Sequence, residues 1–254
     1  MVKKNLVRPA ETMPAAEKLG GLLVRQPDLI IPPRLINTAD GESRLDPGGS
    51  IARWQLPGRG IVQYTIFNGI NTRVESDGLP IAAAFASLPE NQQPTVNFFD
   101  YRGFGESKGI SLPELRFGQM RADARAALDA TTAPQIIISI SMGGPLAILR
   151  AQKEYEQNQR YHAPRKALAI VAVNSAWNFT ELDGIEAKSR LMMLSLMRDQ
   201  PNAKGLSNDV TQAFLREAKN HLLRETQSPH GIIQPVIGCP ILVIQGGRDH
   251  LIHH

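Results

Sequence analysis

The residues with the clearest chemical capacity are Ile138-Ser139-Ile140-Ser141-Met142-Gly143-Gly144. A serine hydroxyl is a poor nucleophile until a base takes its proton and preorganised donors stabilise the oxyanion that develops on the acyl group. A tight elbow between a buried strand and a helix meets the geometric half of that need. It lifts the hydroxyl above the sheet and sets the next backbone N–H beside the reacting carbon. The turn is crowded, so the residues two before and two after Ser141 must be small, and they are Ser139 and Gly143. The pattern S-x-S-x-G also describes an ordinary structural turn, so the elements on either side must discriminate between the two readings.

Those elements are of the right kind. Residues 135–140 form an apolar, β-branched run of the sort a central parallel strand buries on both faces, and residues 143–155 read as a helix with Pro145 in its first turn. Residues 95–99 and 167–173 read as further strands, residues 115–128 as a helix, and residues 240–245 as the last strand. Residues 50–56 and 61–67 read as two strands joined through Pro57-Gly58-Arg59-Gly60 as a hairpin. Strands alternating with helices predict an α/β fold with a mostly parallel sheet flanked by helices. Between about 176 and 238 the alternation stops and two amphipathic stretches appear, 185–197 and 209–223. They read as a helical cap inserted over the strand ends, or else as an ordinary pair of packing helices. Residues 1–48 read as an N-terminal extension with a short helix near 15–24, followed by turn-rich segments, and residues 49–254 as one domain carrying the cap.

Three further stretches resemble one family in the family's own order. Asp100-Tyr101-Arg102-Gly103-Phe104-Gly105-Glu106-Ser107 resembles the D-x-R-G-x-G-x-S loop after the fourth strand of α/β-hydrolases, about 40 residues before the elbow. Cys239-Pro240-Ile241-Leu242-Val243-Ile244-Gln245-Gly246-Gly247-Arg248-Asp249 resembles strand seven followed by G-x-x-D, and Phe67-Asn68-Gly69-Ile70 takes the place of the oxyanion loop, where many members have His-Gly. The resemblance spans residues 50–249 and implies the α/β-hydrolase fold. It further implies Ser141 as nucleophile, Asp249 as the acid that orients an imidazole, and the N–H groups of Met142 and Ile70 as the oxyanion hole. Outside that resemblance Asp249 reads as a turn residue after a strand and Ile70 as a plain loop residue. Ser139 departs from the family's glycine; it fits by size but adds strain at a sharp turn. The 100–107 loop is expected to be structural, with Asp100 and Arg102 hydrogen-bonding locally. Asn68-Gly69 through Ser76-Asp77-Gly78, Phe99-Asp100-Tyr101-Arg102-Gly103 and Phe214-Leu215-Arg216-Glu217-Ala218 look most like small serine esterases and acyl-protein thioesterases. That likeness implies cleavage of a small-molecule carboxylic ester or thioester through an acyl-enzyme, with no cofactor and no metal.

One part of the family's machinery has no match. The family's histidine lies on a loop after an eighth strand, and the sequence ends five residues past Asp249, so a C-terminally truncated copy, with the final strand missing, is expected. His253 and His254 would have to fold back over the sheet to reach Ser141, and chain termini more often fray. His250 adjoins the acid and points elsewhere, His221 and His230 fall in the cap and its exit as surface or packing residues, and His162 lies in a polar, solvent-exposed loop. A non-catalytic binding protein on the same fold is therefore the competing function. An edge left open at strand seven would favour pairing with another chain. On the cap, Leu191, Met192, Met193, Leu194, Leu196 and Met197 suit either core packing or an acyl pocket.

Composition excludes other classes. The chain has 254 residues, a net charge of +4 and 20% charged residues, which supports a globular core and fits neither disorder nor a membrane span. No basic stripe interleaved with aromatics indicates nucleic acid. The glycines of Gly103-Phe104-Gly105 and Gly143-Gly144 form neither a dinucleotide fingerprint nor a P-loop. The single cysteine, Cys239, precludes an intrachain disulfide and a cysteine zinc site, and the protein reads as cytoplasmic. Oligomeric state is not legible.

Overall fold

A computed structural model of the chain describes residues 21–37, 43–69, 73–74, 78–111, 114–175, 217 and 238–244. Within them the chain runs β1 (Val24–Ile31), β2 (Arg34–Asn37), β3 (Ser43–Asp46), β4 (Gly49–Leu56), β5 (Gln63–Phe67), α1 (Leu79–Ala86), β6 (Thr95–Phe99), α2 (Phe117–Asp129), β7 (Gln135–Ile140), α3 (Gly143–Tyr161), β8 (Ala167–Val173) and β9 (Ile241–Ile244). Seven strands form one sheet in the order β1-β4-β6-β5-β7-β8-β9, and β2 and β3 form a separate two-stranded ribbon. The pairs β1–β4 and β4–β6 are antiparallel. The pairs β6–β5, β5–β7, β7–β8 and β8–β9 are parallel, so the sheet is mostly parallel as the sequence predicts.

Alternation along each strand feeds two cores. Phe67, Phe99 and Ile137 point to one face, where Phe117, Met120 and Leu128 of α2 and Leu146, Ile148 and Leu149 of α3 cover them. Ile66, Val96 and Phe98 point to the other, against Ala82 of α1. β7 and β8 bury one face fully and the other only in part: Ile136, Ile138 and Ile140 of β7 are half-buried, and Leu168 of β8 is exposed. Each fully buried Phe or Ile contributes about 1.5–3 kcal/mol. Phe99 also meets Phe67 and Tyr101 edge-on, at 5.8 and 4.9 Å between ring centroids.

Two local expectations are corrected. β4 and β5 do not form a hairpin, because β6 lies between them, antiparallel to one and parallel to the other. The turn through Pro57 and Gly58 instead steps across the start of β6. Arg59 N–H donates to Gln93 O at 3.0 Å, and Thr95 Oγ1 exchanges bonds with Gly58 N–H and Gly58 O at 3.2 and 3.1 Å. The helix expected near 15–24 is also absent from its described end: Gly21 and Leu22 turn, and Val24 opens β1. The sheet's first strand therefore lies within residues 1–48. It carries Pro27 and a register shift between Gln26 and Leu29, features of an edge strand that erase the alternating pattern.

α3 continues to Tyr161, past its expected end, and stops where His162 enters the left-handed region at φ 52°. At the other edge of the described sheet, Leu242, Val243 and Ile244 of β9 are each roughly half exposed. The two cap stretches fall outside the described residues except Glu217. That residue is helical and buried, and its Oε1 accepts the Gly118 N–H in the first turn of α2 at 3.2 Å. A carboxylate there faces the positive end of the helix dipole.

Candidate active site

Ser141 is the residue at which β7 becomes α3. Its φ of +50° puts an L-residue in the left-handed region, which few side chains occupy without compensation. Two backbone bonds fix it there. Ser141 N–H donates to Val173 O of β8 at 3.1 Å, and Ser141 O accepts the Gly144 N–H at 3.1 Å, closing the first turn of α3. The strain sits on the serine itself: Ser139 keeps an ordinary strand backbone, fully buried, with its Oγ 3.4 Å from Val171 O. Ser141 is half-buried, and among the described residues no group hydrogen-bonds its hydroxyl.

The end of β5 lies directly over this elbow. A Cβ on Gly143 would stand 2.2 Å from Phe67 O, so only glycine lets α3 start so close to β5. A Cβ on Gly69 would stand 3.0 Å from Ser141 Cβ. The segment leading to Ile70 thus abuts the serine, while Ile70 itself lies outside the described residues. Met142 is buried in the N-cap position of α3, so its N–H belongs to the helix N-terminus, where backbone donors favour negative charge. Asp249 also lies outside the described residues. β9, five residues before it, runs parallel to β8 and so ends at the same edge of the sheet as Ser141. Of the histidines only His162 is described. It is exposed at the C-terminal end of the 19-residue α3, a helix about 28 Å long that starts beside Ser141.

The loop after β6 leaves the sheet at the same C-terminal ends of the parallel strands. Asp100 is buried; its Oδ1 accepts the Val74 N–H at 2.8 Å and its Oδ2 the Glu106 N–H at 3.1 Å. Ser107 Oγ donates to Asp100 O at 2.6 Å and accepts the Ala52 N–H at 2.8 Å. Arg102 is not a local contact. Fully buried, it reaches back to Asp46 of β3 through both terminal nitrogens, at 2.7 and 3.0 Å, and forward to Asp123 of α2 through Nε at 2.8 Å. The sequence signals the arginine through its motif but not these partners, each more than 20 residues away.

One guanidinium cannot serve two buried carboxylates equally. For Asp46, burial works to raise the pKa, but the Arg102 hydrogen bonds, the Gly48 N–H and the nearby positive charges outweigh it, so the group is lowered. For Asp123 burial wins over the pull of Arg102, and the carboxyl is pushed up to about 6. A cavity of about 230 Å³ opens at the opposite ends of the strands, among Gln55, Gln63, Asn97 and Thr131. Those four side chains hydrogen-bond one another in a chain, and the cavity is not part of the Ser141 site.

No protein-family model matches the chain. It is 28% identical over 162 residues to the human mitochondrial palmitoyl-protein thioesterase ABHD10, covering 61% of this chain and 47% of that protein. The mouse protein is 24% identical over 166 residues. The chain spans about half the length of the curated relatives it matches. Among solved structures, mouse α/β-hydrolase domain-containing protein 10 superposes with a TM-score of 0.54 at 21% identity, over 87% of this chain and 79% of that one. A protein of Agrobacterium vitis S4 gives 0.53 at 17% identity, over 87% and 92%. Among the described residues no helix is long and apolar enough to cross a membrane. The seven-stranded, mostly parallel sheet flanked by helices agrees with these likenesses, and the chain has the α/β-hydrolase fold.

Proposed function

We propose that the protein is a serine hydrolase that cleaves a carboxylic ester or thioester through an acyl-enzyme on Ser141. The observation that carries the reading is the left-handed Ser141 at the strand-helix junction, half-buried and in contact range of Gly69. In this reading Ser141 Oγ attacks the acyl carbon, its proton passes to an imidazole oriented by Asp249, and the alcohol or thiol departs protonated. Water then attacks the acyl-enzyme and releases the carboxylic acid. The N–H groups of Met142 and Ile70 stabilise the oxyanion in both halves of the reaction. The thioesterase named among the relatives supports a thioester as one substrate class. No histidine is assigned as the base.

A fluorophosphonate probe tests the proposal. The expected result is a covalent adduct mapped by mass spectrometry to Ser141 and lost in Ser141→Ala, together with turnover of an aryl ester or acyl thioester. An unmodified Ser141 in the folded full-length protein would overturn it and favour a binding protein on the same fold.

A further inference from the structure

Asn68 is a fully buried amide that the chemistry above does not use. It lies between the two contacts that its own segment makes with the elbow: Phe67 O against Gly143 on one side, and Gly69 against Ser141 on the other. Its Nδ2 donates to Phe99 O, at the end of the neighbouring strand β6, at 3.0 Å. A carbonyl only accepts, so this bond fixes which way the amide faces. The Oδ1 atom is then left buried without a donor among the described residues. A buried acceptor with no partner costs stability that an apolar side chain of similar size would not incur. The bond to Phe99 O is what the residue supplies in exchange, and it ties the tip of β5 to β6 at the level of the nucleophile.

We infer that Asn68 is a positioning residue for Ser141, holding residues 67–69 at the separation from the elbow that the reaction requires. The inference rests on the reading of Ser141 as nucleophile. The family pattern often has histidine at this place, so the role belongs to this chain's own amide. Asn68→Asp keeps the shape but, when ionised, offers no N–H and sets an anion against Phe99 O. When protonated, the carboxyl donates again, and burial raises the pH at which it does so.

The test measures the second-order rate of fluorophosphonate labelling at Ser141 from pH 5 to pH 8, with folding checked by thermal melting. N68D is expected to label about 10- to 100-fold more slowly than wild type at pH 8, the size of effect a small misplacement produces. The ratio should close toward 1 as the pH falls. N68A, which removes the amide without adding charge, should show a comparable deficit that does not change with pH. Wild-type rates in folded N68A, or an N68D deficit that stays constant across the range, would overturn the inference. If wild-type Ser141 does not label at all, the hydrolase reading fails. Hydrogen exchange then decides the positioning role: faster exchange of residues 67–69 and 139–144 in N68A supports it, and unchanged exchange overturns it.

Discussion

Replacing Ser141 by glycine should make the protein more stable than replacing it by alanine, although both remove the hydroxyl. Ser141 holds φ +50°, and an L-residue there carries about 1–2 kcal/mol of steric cost relative to the right-handed region. Alanine keeps that cost and glycine does not. Glycine's greater freedom in the unfolded chain takes back about 0.5–1 kcal/mol. The net advantage of S141G over S141A is therefore about 0–1.5 kcal/mol, centred on about 0.75. The bonds from Ser141 N–H to Val173 O and from Gly144 N–H to Ser141 O are main-chain and common to both variants. Urea titrations with matched m-values read the difference directly. His162, at φ 52° on the exposed end of α3, provides a reference position. H162G should gain a similar amount with labelling of Ser141 unchanged. If H162G is stabilised and S141G is no more stable than S141A, the elbow is not strained and the argument from its geometry fails.

Other perturbations follow from contacts at the site and behind it. Gly143→Ala places a Cβ 2.2 Å from Phe67 O, so β5 and α3 must part by about an ångström. Stability should fall by about 1–3 kcal/mol and Ser141 labelling by about 100-fold, measured on protein shown to be folded. Arg102→Met removes the cation of buried Asp123 and leaves buried Asp46 with only Arg34, at 3.7 Å, and should cost about 3–5 kcal/mol in urea titration. Removing all three charges in D46N/R102M/D123N should recover most of that loss, and a triple variant no better than R102M would refute the account. Asp123, with its pKa raised from 3.8 to about 6, stabilises the fold fully below pH 3.8 and loses that contribution as the pH rises through about 6. D123N should therefore flatten the stability profile between about pH 4 and pH 6, read from urea midpoints across that range.

The sequence revealed most clearly the strands built from continuous apolar runs. β6, β7 and β8 stand where those runs place them; β6 is buried on both faces, while β7 and β8 alternate buried with partly buried or exposed residues. Ser141 was legible for a related reason: its turn needs a small residue at 143, and Gly143 is explained by a close carbonyl. What was illegible depended on distant partners. β1 is a mostly exposed edge strand broken by Pro27, so nothing in its composition distinguishes it from loop. α1 has only eight residues, too few for a helical period to show. The supposed hairpin between β4 and β5 failed because turn residues announce a change of direction, not the strand that will fill the gap. Asn68 looked like a substitute for a family histidine, and its bond to Phe99 O spans 31 residues. Asp249, Ile70 and the cap stretches apart from Glu217 lie outside the described residues; the roles of Asp249 and Ile70 rest on the resemblance and the cap on its amphipathic pattern.

The Asp46–Arg102–Asp123 cluster also bears on how the molecule can come apart. Among the described residues the β2–β3 ribbon shares no ladder with the seven-stranded sheet, and a two-stranded ribbon alone is marginal in water. Peeling it away would strip Arg102 of both Asp46 bonds and expose Arg102 and Asp123 to each other without their third member. That makes a private opening of the ribbon costly compared with fraying of an ordinary surface element. The amides of β2 and β3 should then exchange on the timescale of the central strands. A piece of surface architecture is thereby enrolled in the same cooperative unit as the sheet that carries the serine.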